Sequence, residues 1–142
     1  MSRITVAEFE EIMRRSLPFA QSLGPEVVAL SPARVTLRMP YRDDFLRPGG
    51  TISGPMLMGL ADLAMYAIVL AAIGRVELAV TTSLTINFLR KPSPAAVLAE
   101  ARLLKLGKRL AVGEVELFSE DDPDMVAHVT ATYSIPPAPQ RE

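Results

Sequence analysis

Hydrophobic positions change spacing several times along the chain. Phe9, Ile12 and Met13 recur at helical intervals behind Thr5-x-x-Glu8, a capping-box pattern, and predict a helix that Pro18 limits. Residues 26–30 read as a short strand and Ser31-Pro32 as a turn. Val35, Leu37 and Met39 then alternate with Arg34, Thr36 and Arg38, the period-two signature of a half-buried strand. Asp43 to Thr51, rich in Gly and Pro, reads as a loop. From Met56 to Gly74 every residue but Asp62 is uncharged, which predicts a long buried helix. Period two returns afterwards. Val80, Thr82, Leu84, Ile86 and Phe88 form one face of a strand, and Thr81, Ser83, Thr85 and Asn87 the other. Lys91-Pro92-Ser93-Pro94 ends it, and strands over 95–106 and 110–118 follow, joined by the hairpin-length Gly107-Lys108-Arg109. After the turn Asp121-Asp122-Pro123-Asp124, a last strand points Ala127, Val129, Ala131 and Tyr133 inward. The tail from Pro136 to Glu142 is expected to be loose.

Helix, two strands, long helix, four strands: this order predicts a single α+β domain over 1–142, with a curved antiparallel sheet around one central helix. A helix apolar nearly all round must be covered on all sides. One sheet covers one side, so a second subunit is expected to supply the rest.

Pro55 suits the first turn of that helix, and Ser53-Gly54 the turn before it. Asp62 then lies two turns inside. A lone buried acid is costly unless paired, hydrogen-bonded or protonated, so Asp62 is the first candidate for chemistry. Composition narrows the classes further. With 142 residues and 49% hydrophobic content the chain can build a sizeable core. A formal charge of −1 argues against a nucleic-acid binder. There is no Cys and a single His, His128, which excludes disulfides and multi-histidine metal sites. The N-terminus has no apolar signal region, so a cytoplasmic location is expected. The 56–74 run approaches the length of a membrane span, but Gly59 and Asp62 interrupt it and favour a core helix.

With these elements in place the chain resembles the hotdog thioesterases, in their PaaI-like branch. That family leads into its central helix through Asn-x-x-Gly-x-x-His-Gly-Gly and places an Asp seven residues after the last Gly. Here Arg47-Pro48-Gly49-Gly50-Thr51-Ile52-Ser53-Gly54-Pro55 and then Asp62 keep that spacing. Arg47, Ser53 and Pro55 replace the family's Asn, His and last Gly. The resemblance covers residues 26–135 and includes the strand after the helix and the pair of strands around Gly107. It implies a hotdog fold, an acyl-coenzyme A substrate and hydrolysis without a metal or redox cofactor. It implies that the Gly54 amide polarises the thioester carbonyl and that Asp62 is nucleophile or general base. It also implies that Thr81 orients water, with Thr82 and Ser83 adjacent.

Such hydrolysis needs a donor for the developing oxyanion and an oxygen that reaches the carbon. A free amide at a helix N-terminus and a carboxylate supply these. Gly54 and Asp62, however, are separated by roughly 12 Å along one helix at 1.5 Å per residue, too far to bracket one carbon. Antiparallel helices of two subunits would bring them together, and the resemblance implies the same shared site in a homodimer, possibly a dimer of dimers. Arg90, Lys91, Arg102, Lys105, Lys108 and Arg109 form a basic set suited to coenzyme A phosphates, with Arg90, Lys91, Lys108 and Arg109 the chief candidates. Met56, Met58, Met65, Tyr66 and Phe88 read as core or as acyl-pocket lining. The alternatives are a non-catalytic acyl-coenzyme A binding module, a hotdog hydratase or dehydratase, a Ser53–His128 hydrolase and a small membrane-associated protein.

Overall fold

The computed structural model describes residues 1–137; most of the expected loose tail lies outside the described residues. The first helix, α1 (Val6–Ser16), starts as the capping box predicts. The Glu8 amide donates to Thr5 Oγ1 (3.0 Å) and the Thr5 amide donates to Glu8 Oε1 (2.8 Å). Pro18 does end α1, but it also opens a second helix, α2 (Pro18–Leu23), stopped by Gly24 at φ 61°. Proline breaks the first helix and occupies the favoured first position of the next, which is why one residue both stops and starts.

Strands β1 (Glu26–Leu30) and β2 (Val35–Met39) follow, then a 3₁₀ turn over Asp43–Phe45. The Gly-rich loop is itself a small hairpin: β3 (Leu46–Arg47) pairs with β4 (Thr51–Ile52). Gly49 and Gly50 carry φ values of 100° and 77°, which lets the chain reverse there. The long helix α3 (Gly54–Ile73) leads to β5 (Val80–Phe88), β6 (Val97–Leu106), β7 (Leu110–Ser119) and β8 (Met125–Ser134). Six strands form one antiparallel sheet in the order β1-β2-β6-β7-β8-β5, so β5 is an unpaired edge. The sheet curves around α3, the hotdog arrangement, with Val97, Ala99, Ala101, Val115, Leu117 and Val129 facing it, all fully buried.

The cover on α3 corrects one expectation. From Leu60 to Ala71 it is buried by its own chain except at Asp62: the sheet lies on one side, and α1 and α2 on the other, with Phe9 against Tyr66 at 6.2 Å. No second subunit is needed there. Long and apolar enough for a membrane span, this helix is nonetheless the buried core of the domain. What remains open is a stripe on its first turns: Pro55, Met58, Gly59 and Asp62, spaced as one helical face.

Strand β5 corrects a second expectation. It does not alternate evenly, because a bulge lies between Thr81 and Ser83. Thr81 pairs with Tyr133, Leu84 with Ala131 and Ile86 with Val129, all partners that face α3, while Ser83 pairs with outward Thr132. One extra residue thus moves Thr81 from the expected polar face to the helix face.

Candidate active site

The open stripe of α3 carries Asp62 against the inner face of β5 and β8. Asp62 Oδ1 accepts hydrogen bonds from Thr81 Oγ1 (2.7 Å) and from the Tyr133 hydroxyl (2.7 Å). The same hydroxyl lies 3.0 Å from the Asp62 carbonyl oxygen, so one proton ties side chain and backbone together. Asp62 Oδ2 has no protein partner among the described residues. Since no side-chain polar atom is buried without a partner there, Oδ2 faces open space. Burial first, and then the Asp62 charge, push the Tyr133 phenol well above the usual tyrosine range. It therefore stays a proton donor at neutral pH. Tyr66, also in this region, is pushed up to about 12, chiefly by burial. Its hydroxyl donates to the Glu77 carbonyl at 3.0 Å. Asp62 is half-buried rather than enclosed; it opens on a cavity of about 290 Å³ lined by Leu17, Phe19, Gly59, Leu63 and Tyr66, among others.

The helix start forms a second, separate site. Ser53 is the N-cap in extended conformation, but its side chain caps nothing. The amides of Met56 and Leu57 both donate to the Ser53 carbonyl, at 3.1 and 3.3 Å. Pro55 has no N–H. The Gly54 amide is thus the one donor of the first turn left without a partner among the described residues, at the positive end of a 20-residue helix. A Cβ on Gly54 would lie 3.3 Å from Phe88 Cζ, so glycine lets the Phe88 ring approach the helix start. Gly54, Arg47, Phe88, Arg90 and Lys91 line a cavity of about 420 Å³.

The two sites sit at opposite ends of β5, Thr81 beside Asp62 and Phe88 beside Gly54. The expected basic set divides in the same way. Arg90 and Lys91 follow the Phe88 end. Lys108 and Arg109 lie in the β6–β7 hairpin near the Val80 end, where Ile135 N donates to Arg109 O at 2.7 Å. Arg102 leaves the set altogether, since it pairs with Glu114. Arg47, Arg90, Lys91, Lys108 and Arg109 have no carboxylate partner among the described residues and stay available for an anion. Thr82 turns its hydroxyl to the Thr132 carbonyl (3.1 Å) and Ser83 lies on the outer face, both away from Asp62. Ser53 and Pro55 frame the Gly54 amide, Pro55 from the exposed side. His128 is on the outer face too, bonded to Glu114 at 2.9 Å, and cannot serve Ser53 or Asp62 of the same chain. Met65 is fully buried core, and Met58 is exposed on the open stripe.

Two participants escape sequence reading. Tyr133 reads as an inward core residue, although a polar tip on an inward tyrosine always needs a partner. Phe19 belongs to a six-residue helix too short for a periodic signal.

Comparison with known proteins gives the family. Residues 49–126 match the family model described as the thioesterase superfamily, a span that includes Gly54, Asp62 and Thr81. A crystal structure of a protein assigned as a thioesterase, from Silicibacter sp. TM1040, is 43% identical, with TM-score 0.86 over 96% of this chain and 95% of that one. A mutant of the phenylacetic acid degradation protein PaaI from Thermus thermophilus is 30% identical, with TM-score 0.74 over 84% of this chain and 99% of that one. A protein from Saccharolobus solfataricus assigned as an esterase is 26% identical over 92% of this chain and 91% of its own length. With its sheet wrapped around α3 and its helix-start loop in the matched span, the chain belongs to the thioesterase superfamily, in its PaaI-like, hotdog-fold branch.

Proposed function

We propose that the protein hydrolyses acyl-coenzyme A thioesters, as a soluble cytoplasmic homodimer and without a metal or redox cofactor. The observation that carries this reading is Asp62, anchored through Oδ1 by two hydroxyls and open through Oδ2 to a cavity. Fixing one oxygen holds the other in place for a reaction. Either Oδ2 attacks the thioester carbon, the C–S bond breaks to release coenzyme A thiolate, and water cleaves the resulting anhydride; or Oδ2 takes a proton from a water that attacks directly. Both routes end in free acid and coenzyme A.

The oxyanion falls to the Gly54 amide, where the helix dipole adds to the hydrogen bond; one such donor is worth about 3 kcal/mol in the transition state. It comes from the second copy. The open edge of β5 invites pairing, and two copies joined antiparallel along it set the Phe88–Gly54 end of one over the Thr81–Asp62 end of the other. The unpaired Arg47, Arg90 and Lys91 beside Gly54 then meet the coenzyme A phosphates, with Lys108 and Arg109 of the Asp62-bearing copy on the same side.

Thiol release from a panel of acyl-coenzyme A substrates tests the reading. Asp62→Asn is expected to lose at least about a hundredfold in kcat. A variant as active as the wild type would reject the mechanism. Tight coenzyme A binding by a wild type that releases no thiol would mark a binding module instead.

A further inference from the structure

The cavity beside Asp62 has a chemical character of its own. Leu17, Ala20, Leu63, Ala79 and Val80 give it an apolar lining. Apart from Asp62, its one charged liner is Glu77, whose carboxylate is held by Arg75 Nε at 2.7 Å. No Lys or Arg among the described residues lines it. A carboxylate-bearing acyl group would meet the Asp62 charge with no free counter-ion, since Arg75 is already paired with Glu77 and Glu11, while an uncharged chain would bury apolar surface.

One wall is unusual. Phe19 stands on α2 and is 53% exposed, yet an edge of its ring presses on α3 at Gly59. A Cβ at position 59 would lie 2.4 Å from Phe19 Cε2 and 2.6 Å from Cζ. The ring therefore occupies space that any other residue at 59 would claim. Its helix is well held: Ala20 and Leu23 are buried, and the Gln21 side-chain amide donates to the Met13 carbonyl at 3.2 Å. The outer side of the Phe19 ring faces solvent, and the lining residue Val80 is exposed as well. Removing the ring would open the cavity on that side.

Resting on the thioesterase reading, we infer that this cavity takes the acyl group of the substrate, that the group is uncharged and apolar, and that Phe19, seated on Gly59, is the wall limiting its length. Phe19 is a specificity residue that touches the acyl chain rather than the reacting atoms.

The test is equilibrium binding of straight-chain S-alkyl coenzyme A thioethers, from butyl to dodecyl, which the protein cannot hydrolyse. Wild type is expected to bind better with each added methylene up to a limit and to lose affinity beyond it. Phe19→Ala is expected to move that limit to longer chains and to raise the dodecyl-to-butyl affinity ratio by roughly tenfold or more. Phe19→Leu, which keeps apolar packing on α3, is expected to fall between the two and guards against a folding defect in the alanine variant. A thioether ending in a carboxylate is expected to bind more weakly than its methyl-ended counterpart. An unchanged length limit in both folded variants, or equal affinity for the carboxylate-ended chain, would overturn the assignment. Because no turnover is involved, the hydrolase reading fails separately. Length-dependent binding by a protein that releases no thiol would refute hydrolysis and leave the acyl wall standing. Failure to bind any thioether would overturn the acyl wall, and the hydrolase reading would still stand or fall on thiol release.

Discussion

Asp62 is held by contacts that treat its two oxygens differently. Thr81 and Tyr133 both spend their protons on Oδ1, and neither reaches Oδ2. A carboxylate free to rotate would present either oxygen; this one presents the same oxygen each time. Tyr133 also reaches the Asp62 carbonyl, so it fixes the residue's backbone as well as its tip. Tyr133→Phe should therefore lower kcat by about ten- to a hundredfold, the worth of a hydrogen bond to a charged group, with KM little changed. Steady-state kinetics check this, and a raised KM with intact kcat would make Tyr133 a binding residue instead. Asp62 and Gly54 are legible in the sequence for plain reasons. A charge inside an apolar run is conspicuous, and Gly-Pro marks a helix start. Tyr133 is not legible as a partner of Asp62, because 71 residues separate them and only the sheet register brings them together.

At the scale of elements, the helices and strands follow from period, while the departures from regularity place the functional groups. Period two correctly marks β5 as a strand but puts Thr81 on its polar face, because a bulge adds a residue without leaving a trace in composition. Proline at 18 marks the end of α1 but hides α2, the helix that carries Phe19. The packing of α2 on α3 makes a further prediction. Gly59→Ala should destabilise the protein by about 2 kcal/mol through overpacking against the Phe19 ring. In a Phe19→Ala background the same change should cost under about 1 kcal/mol, since the next neighbour, Leu23 Cδ1, lies at an ordinary 3.5 Å. Urea denaturation of the four proteins closes the cycle. Additive effects would mean that the glycine serves helix α3 for some other reason.

For the molecule as a whole, the sequence conveys that one helix cannot complete the chemistry alone, but it overstates why. The bulk of α3 is covered within one chain, and only Pro55, Met58, Gly59 and Asp62 stay open. In the proposed mechanism a second copy supplies the donor, and the core does without it. Mixed dimers can test this. Gly54→Pro removes the open amide, and Asp62→Asn removes the carboxylate. Neither homodimer should be active, but mixing the two should restore about a quarter of wild-type activity, since half of the dimers are then mixed and each holds one intact site. Refolding the variants together and assaying thiol release checks this; no recovery would reject the shared site. The division of labour along β5 also bears on how such a protein can diverge. In a homodimer every substitution strikes both sites at once, so Gly54 and Asp62 are each under double constraint. A gene duplication that joined two copies in tandem would lift it. One half would be free to discard its carboxylate and the other its donor amide, and the spare site, relieved of hydrolysis, would be left to bind a regulator.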